Sequence, residues 1–95
     1  MDHHPEALVG ARLEFERAVE LDPNDADAHL QLGMVYDEQK LPDRAVSEYR
    51  TAIQVNPRLA AAHYRLAQDY ERLGKKDKAE AEFAQYEQLR GHTSP

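Results

Sequence analysis

Apolar residues recur along the chain at the three- and four-residue spacing of helices that bury one face. Ala28, Leu32, Val35 and Tyr36 form one such stripe, and Ala45, Val46, Tyr49, Ala52 and Ile53 form a second. Between the stripes stand residues that start and stop helices. Asp25, behind the turn Pro23-Asn24, is placed to accept a hydrogen bond from the free N–H groups of the helix that follows. Pro42 suits the first position of the next helix, where its missing N–H costs nothing. Pro57 ends that helix, because the residue before a proline avoids helical backbone angles. Gly74 separates the next two helices, and Gly91 closes the last as a left-handed cap. The pattern predicts an all-α chain of five helices, over about 5–21, 26–39, 42–56, 60–73 and 76–90.

The helices are copies of one another. A shift of 34 residues aligns nine identities: Ala26/Ala60, Ala28/Ala62, His29/His63, Leu32/Leu66, Tyr36/Tyr70, Asp43/Asp77, Ala45/Ala79, Glu48/Glu82 and Gln54/Gln88. The same shift pairs Ala11 with Ala45, Glu14 with Glu48, Ala18 with Ala52 and Pro23 with Pro57. Chance would align about two of thirty residues in segments of ordinary composition. The middle repeat reads His29, Leu32-Gly33, Tyr36, Ala45, Tyr49, Ala52, Pro57. This resembles the tetratricopeptide repeat, an aromatic followed by Leu-Gly, Tyr, Ala, an aromatic, Ala and Pro, with His29 in the place of the usual Trp. The last repeat departs further, with Ala67, Tyr86 and Gly91 at pattern slots and His63 again at the first. Only the second half of the first repeat is present, in Ala11, Phe15, Ala18 and Pro23. The resemblance implies an α-solenoid of antiparallel helix pairs, divided into a half repeat over 5–25, a full repeat over 26–59, a terminal repeat over 60–91 and a tail over 92–95. In such a stack Gly33, Ala45, Ala67 and Ala79 let helices approach closely, while Tyr36, Tyr49, Tyr70 and Phe83 fill the wedges between them.

Composition narrows the function classes. No apolar run approaches the roughly 18 residues that span a bilayer, and the start, Met1-Asp2-His3-His4-Pro5, has neither the basic nor the apolar part of a secretory signal. The absence of cysteine fits a reducing compartment and makes a cytoplasmic location the expectation. Net charge is −6, unevenly spread: residues 1–43 hold eleven acids and three bases, and residues 44–95 seven acids and nine bases. No basic stripe exists to neutralise phosphates, so neither nucleic acid nor a membrane is an expected partner.

Catalytic candidates are poor. Ser47, Thr51, Thr93 and Ser94 are the only hydroxyl nucleophiles apart from tyrosine, and no histidine lies three or four residues from Ser47. Asp69, four residues from Arg65 and three from Arg72, reads as the centre of a surface salt-bridge trio. His29 and His63 occupy slots that normally hold a half-buried aromatic, so they are expected to pack rather than bind metal. Met1-Asp2-His3 could wrap Cu(II) or Ni(II) in square-planar nitrogen geometry, although a polar tail is the simpler reading. No enzyme activity, cofactor or metal is expected.

Binding is the remaining class. The resemblance implies a concave face, lined by the first helix of each pair, that holds a protein or peptide. Its candidate lining is Leu30, Met34, Asp37 and Glu38 on one helix, with Tyr64, Arg65, Gln68, Glu71 and Arg72 on the next. The family branch that holds a peptide's C-terminal carboxylate uses a Lys/Asn/Arg clamp. Here those slots hold Leu30, Met34, Tyr64 and Gln68, with Ala61 where Lys is wanted, and only Arg65 matches. An apolar segment with basic flanks suits Leu30, Met34, Tyr64, Asp37, Glu38 and Glu71 better. The alternative is a self-assembling protein. The first helix lacks its partner helix, and Leu8, Val9 and Leu13 stand where the middle repeat has Pro42, Asp43 and Ser47. With Ala11 and Phe15 they form a candidate surface for a symmetric homodimer. Glu87, in the slot of Val19 and Ile53, suggests that the opposite end is sealed by polar groups.

Overall fold

The computed structural model describes residues 5–91, with side chains from Ala7 onward. The Met1-Asp2-His3 motif and the tail over 92–95 lie outside the described residues. Five helices follow one another: α1 (Pro5–Leu21), α2 (Ala26–Glu38), α3 (Pro42–Val55), α4 (Ala60–Arg72) and α5 (Lys76–Leu89). No strand occurs among the described residues, and no helix is long and apolar enough to cross a membrane. Consecutive helices pack on one another and α2 also touches α4, so the helix pairs stack into a body of 47 × 30 × 22 Å. This is a TPR-like α-solenoid.

The connections repeat as the sequence does. Asp25 Oδ1 accepts from the Ala28 N–H at 3.1 Å and caps α2. The turns around Pro23 and Pro57 are both Asx turns, in which Asp22 Oδ1 and Asn56 Oδ1 accept from the N–H two residues on, each at 3.1 Å. α2 and α4 also end alike. The Leu41 N–H bonds the Tyr36 carbonyl at 2.9 Å, and the Lys75 N–H bonds the Tyr70 carbonyl at 2.8 Å. This closure needs one residue in the left-handed region. Gly74 supplies it in the last repeat, whereas Lys40 does so in the middle one, with φ of 64°.

The core is built from small residues and tyrosines. Ala45, Ala52, Ala62 and Ala67 are sealed from solvent together with Tyr49, and Leu32, Leu66, Tyr36 and Tyr70 pack around them. A methyl group on Gly33 would come within 2.5 Å of the Tyr49 ring, which explains the glycine. α1 is covered on one side only. Its Phe15 and Val19 lie against the core, while Val9, Leu13 and Leu21 are exposed.

Candidate partner-binding groove

A groove of about 800 Å³ opens between α2 and α4 beside the start of α3. Met34 and Val35 form its apolar floor, and Gln31, Asp37, Glu38, Lys40, Arg65 and Arg72 its polar walls, with Pro42 at one end. Of the residues expected there, Met34, Asp37, Glu38, Arg65 and Arg72 line it. Leu30 does not. It is only 6% exposed and belongs to the core with Leu32 and Tyr49, so its assignment to an exposed groove is corrected. Tyr64, the counterpart of Leu30, is 38% exposed but stacks on α5, with ring centroids 5.7 Å from Phe83 and 4.9 Å from Tyr86. The same slot is closed where a further pair stacks and half open where none follows among the described residues. The end expected to be sealed therefore presents an aromatic edge, even though Glu87 is exposed beside Arg90. Gln68 is half-buried and Glu71 exposed, and neither lines the groove. On α1, Leu8 and Ala11 are half-buried, Val9 and Leu13 exposed, and Phe15 packs inward. Phe15 thus already has a partner within the chain.

Two features went unread in the sequence. The first is a pair of identical clamps. His29 Nδ1 lies 2.8 Å from Glu48 Oε1 and its Nε2 lies 2.9 Å from the Pro23 carbonyl oxygen. His63 makes the same contacts to Glu82 at 2.6 Å and to the Pro57 carbonyl at 2.9 Å. Each histidine joins the preceding turn, its own helix and the second helix of its pair. Both ring nitrogens of each histidine are thus engaged within the chain. The signal was present: His, Glu and Pro all recur at the 34-residue shift.

The second feature lies beneath the groove. Asp69 is fully buried, which corrects its reading as part of an exposed trio. Arg72 bonds Asp69 Oδ1 at 2.6 Å and approaches Asp37 Oδ1 at 3.5 Å. The Tyr49 hydroxyl donates to Asp37 Oδ2 at 2.6 Å. Burial and the neighbouring Asp37 push Asp69 up to about 7, with Arg72 opposing the shift. Burial and the same Asp37 raise the Tyr49 hydroxyl far above its ordinary range, so it remains a donor. Tyr36, which donates to Glu16 at 3.0 Å, is raised by burial and by that carboxylate. No group of three or more His, Asp or Glu among the described residues is arranged to hold a metal.

Known proteins decide the family. Models described as tetratricopeptide repeat match the chain over residues 14–47 and over residues 31–92, the second covering more than half of it. The chain belongs to the tetratricopeptide repeat family. Among solved structures, MamA superposes on this TPR chain with a TM-score of 0.87 at 28% identity, covering 90% of this chain and 50% of that one. YrrB, described as a TPR protein with an unusual peptide-binding site, superposes with a TM-score of 0.82 at 27% identity, covering 90% and 44%. This TPR chain therefore spans about half the length of the structures it resembles. No curated protein matches it in sequence. Fold and family make it a protein-interaction module.

Proposed function

We propose that the groove between α2 and α4 holds a peptide segment or helix of a partner protein, and that the chain acts as a non-enzymatic scaffold. The observation that carries this reading is the groove itself, an apolar floor of Met34 and Val35 walled by charged side chains. An apolar segment would bury its side chains on that floor at roughly 25 cal/mol per Å² removed from water. The walls bear on the flanks. Asp37 is engaged by Tyr49 and Arg72, which leaves Glu38 as the acid facing the groove and Lys40 and Arg65 as bases. A segment with flanks of both signs fits this wall better than purely basic flanks. YrrB, a TPR protein with a peptide-binding site, gives the reading a precedent.

Selection of a displayed random-peptide library on the protein tests it, followed by NMR mapping of the selected peptides. Perturbed amides should cluster over Gln31–Glu38 and Arg65–Arg72. Arg65→Glu should weaken binding about tenfold, as for loss of one charged contact, with little change in melting temperature. Peptides that perturb only α1 or α5 would overturn the groove assignment.

A second reading, self-assembly through α1, draws on the exposed Val9 and Leu13. Covering each would contribute about 1.5–3 kcal/mol.

A further inference from the structure

Asp69 is out of place on stability grounds. The 34-residue shift puts it in the slot of Val35, which the middle repeat fills with a buried apolar side chain. A buried carboxylate is retained at a cost unless its charge is matched. Here it is matched poorly, because two carboxylates, Asp37 from α2 and Asp69 from α4, face a single guanidinium, that of Arg72. Each carboxylate also keeps one buried oxygen without a hydrogen bond, Oδ1 of Asp37, which Arg72 only approaches at 3.5 Å, and Oδ2 of Asp69. Two carboxylates gathered at one guanidinium cannot both ionise cheaply, and a proton held between them would supply the missing donor.

We infer that Asp37 and Asp69 share one proton and form a latch between α2 and α4, closed while the proton is held and loosened when it leaves. Loss of the proton places two negative charges against Arg72, whose side chain is 58% exposed and already directed to water. The second charge then favours movement of Asp69 toward solvent, which would ease α2 and α4 apart beside the groove that Asp37 and Arg72 line. Asp69 changes state near neutral pH, where a cell's ordinary fluctuations act on it. The consequence for partner binding rests on the groove reading above, whereas the latch itself does not.

Among the described residues, the other titratable and charged groups around the pair are held in contacts of their own. From α3, Tyr49 faces the pair and is held protonated. From α4, Arg65 stands near Tyr49 and Arg72 spans the two acids. From α5, Lys78 lies over the Tyr70 ring and Glu82 is bonded to His63, so both are committed elsewhere. The histidines clamp α2 to α3 and α4 to α5 rather than α2 to α4.

The chain has no cysteine, so Gln31→Cys with Glu71→Cys gives two unique sites, one on each helix, for nitroxide labels. Both positions are exposed. Distances between the labels should lengthen between pH 5.5 and 8.5, and the side-chain carboxyl carbons of Asp37 and Asp69 should titrate together over the same interval. Asp69→Asn offers its amide to Asp37 and its carbonyl to Arg72, which imitates the protonated pair. It should hold the short distance at both pH values. Asp37→Asn serves as the second variant should Asp69→Asn not fold. A distance change that persists in the asparagine variants, or two acids that titrate independently in the ordinary carboxylate range, would overturn the latch. Neither result bears on whether peptides occupy the groove, which the library selection reads at fixed pH.

Discussion

Gly33, Lys40, Leu30 and Asp69 show how much a single position decides. Gly33 has no room for a side chain because the Tyr49 ring fills the space. Gly33→Ala should therefore destabilise by about 1–3 kcal/mol in urea unfolding, as expected for overpacking. Ala67, in the same slot of the last repeat, already carries the methyl group, and there Phe83 stands in the slot of Tyr49. Lys40 holds a left-handed conformation that Gly74 adopts freely at the matching turn. Lys40→Gly should stabilise the chain by about 1 kcal/mol, read as a higher urea midpoint. Leu30→Glu buries a charge without a partner and should cost about 3 kcal/mol or more, so it cannot serve as a silent probe of the groove. Asp69 adds a pH dependence. Its folded value of about 7 lies above the ordinary carboxylate value, so the folded chain holds a proton that the unfolded chain has released. Its contribution to stability is present at low pH and is lost as pH rises from about 4 to about 7, after which the curve is flat. Asp69→Val should remove this slope and be more stable than the parent at pH 8. An unchanged slope in urea titrations would show that Asp69 is not its source.

At the scale of elements, the helix pairs are tied by matched devices. The His29–Glu48 and His63–Glu82 contacts each join the two helices of a pair. A double-mutant cycle at either pair should return a coupling of about 1–3 kcal/mol. Ala45 is sealed between helices, and Ala45→Leu should cost about 1–3 kcal/mol by forcing the pair apart. The helices themselves were legible to within a residue, because Asp25, Pro42, Gly74 and Gly91 punctuate the chain at points where backbone chemistry leaves few choices. The site was less legible. Spacing tells which residues share a helix face but not how deep that face lies. Leu30 was placed on the groove side by its angle from Leu32 and Tyr36, yet it sits within the core. Asp69 has the i,i+3 spacing of an ordinary surface pair with Arg72, and the one sequence signal of its burial, its alignment with Val35, was not read. The clamps were written in three recurring residue types that spacing alone does not connect, since His29 and Glu48 are nineteen residues apart.

For the whole molecule, the two ends govern association. Leu13 on α1 is 55% exposed, and the opposite edge presents Tyr64 beside Phe83 and Tyr86. With an aromatic edge available, the acidic first half of one chain can meet the basic second half of the next, and two acidic halves need not be apposed. Light scattering over a concentration series should show mass rising with concentration, more weakly at high salt because screening removes that attraction. Leu13→Glu should abolish the rise. A rise that salt strengthens would point instead to the symmetric pairing through α1, and a monomer at high micromolar concentration in both salts would exclude either.

The histidine clamps also bear on how the chain would yield to tension. One spans Pro23 to Glu48 and the other Pro57 to Glu82, so each rivets a turn to the helix pair behind it. The stretch from Tyr49 to Asn56 lies between the rivets and is crossed by neither. Pulled by its two ends, the molecule would part outside the rivets first, at α1 and at that seam, leaving two riveted blocks that each surrender only when an imidazole lets go.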